Sequence, residues 1–212
     1  MRPDELSHLP GETGESGDVH ADEEAVRFGR AIIIASARPI LDQPVAAIVC
    51  PANRRGVMGV GLSGLVRTTG GIEIEREAMA LAPLTIGTAV ATTSGNLAAR
   101  GVRVILHAVV SDALGSATRA DIVRRATVST LQAVDRQRLK SVAFPPLGSG
   151  LASIGLTSMM VLAYMIDEIV AHLRRFTSRL ERIVLVCRDQ REVREIGAAL
   201  REVRQDWDGL RA

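Results

Sequence analysis

Short apolar runs recur along the chain, and amphipathic stretches of helical period lie between them. Residues 31–35 (AIIIA) have the makeup of a buried strand, and 46–51 (AAIVCP) form a second run closed by proline. Residues 88–94 (TAVATTS) and 102–110 (VRVILHAVV) predict two more strands, joined through a Gly95-Asn96 turn signal. SVAFPPL (141–147) and ERIVLVC (181–187) complete six. The helical stretches are a short one at 64–71, stopped by Gly70 and Gly71, then 72–82, 116–139, 156–176 and 190–203. Thr157 and Asp189 stand where caps for the last two belong. Strands alternating with helices, with one strand pair in the middle, predict an α/β protein whose mixed or mostly parallel sheet is covered on both faces.

Two glycine-rich turns interrupt this pattern, each just after a strongly apolar strand. The first is Gly59-Val60-Gly61-Leu62-Ser63-Gly64, and the second is Gly148-Ser149-Gly150. Glycine lets the backbone approach a ligand closely, and a turn that opens a helix points free N–H groups at anions. In open α/β sheets ligands sit outside the carboxyl ends of the strands. Both turns fall there, so a diphosphate clamped between them is the expected ligand group.

Composition narrows the setting. Aromatic residues are only 2 % of the 212, so the core must be built from aliphatic side chains, and a groove that stacks single-stranded bases is not expected. Residues 1–24 carry eight acids and one arginine, and read as a disordered acidic tail before a domain at 25–212; regular structure is expected from near Val26. The rest carries 25 basic and 16 acidic residues, which suits phosphate-bearing ligands as well as a solvated surface. Cys50 and Cys187 form no CxxC pair and join no His/Cys cluster, which argues against a zinc site and a disulfide framework. No apolar leader and no uninterrupted apolar span occur, so a cytoplasmic protein without a membrane partner is expected.

Taken alone, GVGLSG matches a dinucleotide-binding fingerprint, but Asn53 to Gly56 intervene after the strand and no acid follows near Leu84. The whole of VAAIVCPANRRGVMGVGLSGLVRTTGG resembles the signature of the macro domain family. SVAFPPLGSGLASIG resembles that family's second loop, and LERIVLVCRDQREVREI its last strand and helix. The resemblance implies a three-layer α/β/α sandwich, a mixed, mostly parallel sheet of six strands, and a cleft for ADP-ribose or a relative. It implies ligand contacts from Asn53, Gly59, Gly61, Gly64, Gly148, Ser149, Gly150 and Leu151. It also places the strand of Phe144 between those of Cys50 and Cys187, too far apart for a disulfide.

Several positions depart from the family pattern. Cys50 stands for the first asparagine, Ser63 for the acid after the glycine run, and Arg38-Pro39 for the Gly-Asp pair that recognises adenine. Ala152 replaces an aromatic, and the other aromatic falls at Cys187 or Arg188. Serine cannot supply a carboxylate's charge, so Asn53 and Ser63 remain as the candidates for a catalytic role. His107 reads as a core histidine, Ser149 as a small loop residue near phosphate, and Arg54 and Arg55 as a solvated edge or a phosphate contact. The expected function is binding of a phosphate-bearing nucleotide such as ADP-ribose, free or on a modified protein, without efficient hydrolysis and without cofactor or metal. The alternatives are an ADP-ribosyl hydrolase with atypical water activation, and a scaffold or oligomerisation domain that has lost its ligand. A nucleic-acid partner is not expected, and a homo-oligomer is compatible with the reading.

Overall fold

The computed structural model describes residues 23–149, 155–175 and 177–209. In chain order the strands are β1 (Glu23–Phe28), β2 (Ala31–Ser36), β3 (Ala47–Asn53), β4 (Ala89–Thr92), β5 (Val104–Ser111), β6 (Ser141–Phe144) and β7 (Arg182–Val186). The helices are α1 (Gly61–Gly70), α2 (Glu73–Ala80), α3 (Ala120–Arg136), α4 (Ser158–Arg175) and α5 (Gln190–Gly209).

They build one sheet in the order β1-β2-β7-β6-β3-β5-β4. The five inner strands run parallel, and β1 and β4 pair antiparallel at the two edges. The sheet therefore has seven strands, not six. The added strand is β1, whose inward positions Val26 and Phe28 alternate with exposed Ala25 and Arg27. Its sequence lacks an apolar run because only one face is buried, and Glu23 and Glu24 at its start read as part of the acidic tail. The tail expectation otherwise falls on residues 1–22, outside the described residues.

The inner strands are buried on both faces. On one, Ile33, Val49, Leu106, Phe144 and Leu185 pack against α3, α4 and α5. On the other, Ile34, Ile48, Cys50, Ile105 and Val184 pack against Val66 of α1 and Ile74 of α2. Strands covered on both sides read as continuous apolar runs, which is why these five are visible in the sequence. Both expected caps are present. Thr157 Oγ1 accepts from Met160 N at 3.2 Å, and Asp189 Oδ1 accepts from Glu192 N at 2.8 Å. The helix expected from Ser116 begins at Ala120 instead, with extended Arg119 at its N-cap.

Cys50 and Cys187 are buried free thiols, and β6 with Phe144 does lie between β3 and β7. Burial pushes both thiols up to about 12, so neither is a thiolate near neutral pH. His107 is paired in register with Cys50, fully buried, and hydrogen-bonded through Nε2 to Thr92 Oγ1 at 2.9 Å. Burial lowers its imidazole from 6.5 to about 4. The unfolded chain takes up that proton as the pH falls through 6.5, whereas the folded protein resists until about 4. The neutral ring's contribution is thus complete above pH 6.5 and is lost on acidification to pH 4, by about 3 kcal/mol. Urea unfolding at about pH 7 and about pH 4.5 should show a stability drop about 2 kcal/mol smaller in His107→Leu than in the parent. An equal drop in both proteins would remove His107 as its cause.

Candidate functional site

Parallel strands bring their carboxyl ends to one edge, and a cleft of about 660 Å³ opens there above β3, β5 and β6. Its floor is Pro51, Ala52, Asn53, Val110 and Ser111. One wall is the start of α1 (Val60 to Ser63), and the facing wall is Pro145, Pro146, Gly148 and Ser149. A third side comes from Leu114, Gly115, Ser116 and Thr118, between β5 and α3. The volume suits a ligand of nucleotide size.

The first wall is held by a chain of specific bonds. Asn53 Oδ1 accepts from Arg55 N at 3.0 Å, and its Nδ2 donates to Val57 O at 2.8 Å, so the side chain shapes the turn that follows β3. Gly56 has φ +70°, and a Cβ there would lie 2.7 Å from the Ala78 backbone, so only glycine lets the turn seat on α2. Buried Glu75 of α2 then ties the loop down. Its Oε1 accepts from Met58 N at 2.7 Å and its Oε2 from Arg67 Nη1 at 3.1 Å. The loop so held delivers Gly61, at φ +62° with open space where a Cβ would stand. Val60 at the N-cap of α1 offers no side-chain bond, and the first helical N–H groups have no intrahelical partner. Ser63 Oγ donates to Val60 O at 3.0 Å, leaving its lone pairs as acceptors.

The second wall is a tight turn. Ser149 Oγ donates to Pro146 O at 3.0 Å, and Gly148 has φ +75° with its Cα against Thr118. The described lining holds no Asp, Glu, His, Lys or Arg. Its polarity comes from amide and hydroxyl dipoles, the kind of field that accepts anions at a helix start. Among the described residues no group of three or more His, Cys, Asp or Glu is placed to hold a metal. Arg54 lies outside the lining and pairs with Asp112 at 3.4 Å, both largely exposed, a bond of small energetic weight. Arg38 is also outside it, donating to Asp42 O at 3.2 Å.

Of the residues expected from sequence, Asn53, Gly61, Ser63, Gly148 and Ser149 meet in this cleft. Gly59 and Gly64 stand behind the wall. A Cβ on Gly59 would lie 3.3 Å from Leu114, and one on Gly64 would lie 3.0 Å from Gly59 O. Gly150, Leu151 and Ala152 lie outside the described residues. The side formed by Ser111, Leu114, Ser116 and Thr118 was not anticipated. Its signal is the small, polar stretch SDALGSAT directly after β5, at a strand's carboxyl end.

A family model described as Macro domain matches residues 49–159. An uncharacterized protein of Aquifex aeolicus is 37 % identical over 147 residues, covering 69 % of this chain and 84 % of that protein. The Oceanobacillus iheyensis macrodomain solved with ADP superposes with a TM-score of 0.72 at 19 % identity, over 85 % of this chain and 97 % of that one. The Trypanosoma brucei macrodomain in complex with ADP-ribose gives 0.68 at 22 % identity, over 79 % and 68 %.

The tether makes an ordered prediction. Removing Glu75 leaves Met58 N–H buried without an acceptor, whereas Arg67, with its side chain 36 % exposed, can return to water. Thermal unfolding should show Glu75→Ala destabilised by about 2 kcal/mol and Arg67→Ala by less than about 1 kcal/mol. Equal losses would show that the ion pair, not the bond to Met58, anchors the loop.

Proposed function

The chain belongs to the macro domain family, and from that premise we propose that it binds ADP-ribose or a related diphosphate nucleotide without hydrolysing it efficiently. One observation carries this reading: a nucleotide-sized cleft whose two facing walls are a helix start and a glycine turn, with no ionisable side chain in the described lining. Backbone dipoles of this kind hold a diphosphate. The ADP and ADP-ribose held by the Oceanobacillus and Trypanosoma macrodomains support carrying nucleotide binding across to this chain.

The same lining supports binding over turnover. Attack at an anomeric carbon needs a group to polarise water, and Ser63 is a hydroxyl already donating to Val60 O. His107 is in the core, with its ring lowered to about 4 and bonded to Thr92. Losing a general base typically costs about 10²–10⁴ in rate. The ligand is the free nucleotide or the same group on an ADP-ribosylated protein, and the two buried free thiols support a reducing, cytoplasmic setting.

Calorimetric titration with ADP-ribose, AMP and inorganic phosphate tests the reading. ADP-ribose should bind more tightly than the other two, since it alone brings a diphosphate, but no better than micromolar, because there is no acid at Arg38-Pro39 and no aromatic at Ala152 for adenine. Absence of heat or competition at millimolar ADP-ribose would end it. Release of ADP-ribose from a modified protein should be slower than an ordinary enzyme's roughly 1–10³ per second by at least about a hundredfold, and Ser63→Asp should raise it. Turnover at ordinary rates in the parent protein would contradict the non-hydrolytic part alone.

A further inference from the structure

Opposite the cleft, at the edge where the parallel strands begin, the chain gathers arginines. Arg30 leads into β2, Arg179 into β7, Arg138 into β6 and Arg103 into β5. Arg136 and Arg175 end α3 and α4, which run down to the same edge. All are exposed, and among the described residues none of them has an ion-pair partner. The acids in the same connections are already engaged: Glu181 with Lys140 at 3.0 Å, Asp42 with Arg100 at 3.3 Å, and Asp135 with Ser178 and His172. A cation in the last turn of a helix is explained by the helix dipole, which accounts for Arg136 and Arg175 and leaves the other four. Arg138 carries a further cost. It has φ +53°, the only positive value at a residue other than glycine among those described. A left-handed backbone after a helix favours glycine or asparagine, so this side chain is kept against local preference. Strained backbone clusters at functional surfaces.

The sheet sets the spacing of these groups. Neighbouring strands lie about 4.8 Å apart, so the steps from β2 through β7, β6 and β3 to β5 make a row about 19 Å long. Arg30 and Arg103 mark its ends, with Arg179 and Arg138 between them. A nucleic-acid duplex carries one phosphate charge per about 1.7 Å of its axis, and the row spans about five of its base-pair steps. Guanidinium forks match phosphate oxygens. No exposed large apolar side chain stands in the row among the described residues. The row therefore offers nothing to wedge into a lipid layer and nothing to stack on an unpaired base. The scarcity of aromatics that argues against a single-strand groove does not bear on contact with a duplex backbone, which needs only cations.

We propose that this edge docks the phosphate backbone of double-stranded nucleic acid, without regard to base sequence. It lies a strand's length, about 20 Å, from the nucleotide cleft, so the two ligands are held independently.

The test follows the fluorescence anisotropy of two labelled DNA duplexes of unrelated sequence, each about twenty base pairs long, between about 50 and 200 mM salt. The edge variant combines Arg103→Gln, Arg138→Gly and Arg179→Gln. The control combines Arg54→Gln, Arg125→Gln and Arg191→Gln, an equal loss of charge at the other end of the fold. The parent should bind both duplexes alike, and more weakly as salt rises. The edge variant should bind at least about tenfold more weakly at low salt, with a log–log salt slope shallower by about three, and Arg103→Gln alone should lower the slope by about one. The control should stay within about twofold of the parent. Saturating ADP-ribose should displace no duplex. A parent that fails to bind at about 50 mM salt overturns the inference. Equal weakening in the edge variant and the control does so too, as does displacement by ADP-ribose or tighter binding of the corresponding single strand. Capture by phosphatidylserine vesicles in place of the duplex would assign the edge to membranes instead. Failure on any of these counts leaves nucleotide binding in the cleft standing.

Discussion

Five strands running parallel through the middle of the sheet are the constraint from which the site follows. Each parallel pair needs a crossover, and the crossovers here are the helices that bury the sheet's two faces. Every inner strand then ends at the same edge. Two turns almost ninety residues apart in sequence, at Gly61 and Gly148, become the facing walls of one cleft. The third side arises the same way, because β5 lies next to β3 and its exit must cross the same edge. Buried Glu75 completes the arrangement by fastening the loop after β3 to α2 through Met58.

The electrostatics of the cleft are those of dipoles over an uncharged floor. Cys50 and His107 sit in register within β3 and β5, and burial pushes one thiol up to about 12 and one imidazole down to about 4. Neither carries charge near neutral pH. Several arginines of the basic body are engaged on the surface, as Arg124 is with Asp167 and Glu168 at 2.7 Å, and Arg201 with Glu24 at 2.6 Å. An anion entering the cleft therefore meets oriented N–H and O–H groups that need little rearrangement. This favours holding a ligand over driving proton transfer in it.

The strands covered on both faces were legible because double burial writes itself as an apolar run. β1 was not, since an edge strand buried on one side alternates, and its two inward residues Val26 and Phe28 follow a pair of glutamates. The glycine turns were legible as candidate walls because positive φ and close approach leave few other residues possible, as at Gly61 and Gly148. Which glycines face the ligand was not, because that depends on packing between distant segments. Gly59 is set by Leu114, and Gly64 by the carbonyl of Gly59. Thr118 was hidden for a related reason. Its sequence neighbours read as the first turn of a helix, and only the tertiary fold sets its methyl group against Gly148.

The central claim is that backbone amides on two facing walls hold the ligand. Titrating isotope-labelled protein with ADP-ribose while following each amide resonance tests it most directly. The account predicts the largest shifts at Gly61, Leu62 and Ser63 at the start of α1, together with Gly148 and Ser149 on the opposite wall. Shifts confined to one wall, or still amides beside responding guanidinium groups of Arg54 and Arg55, would contradict it.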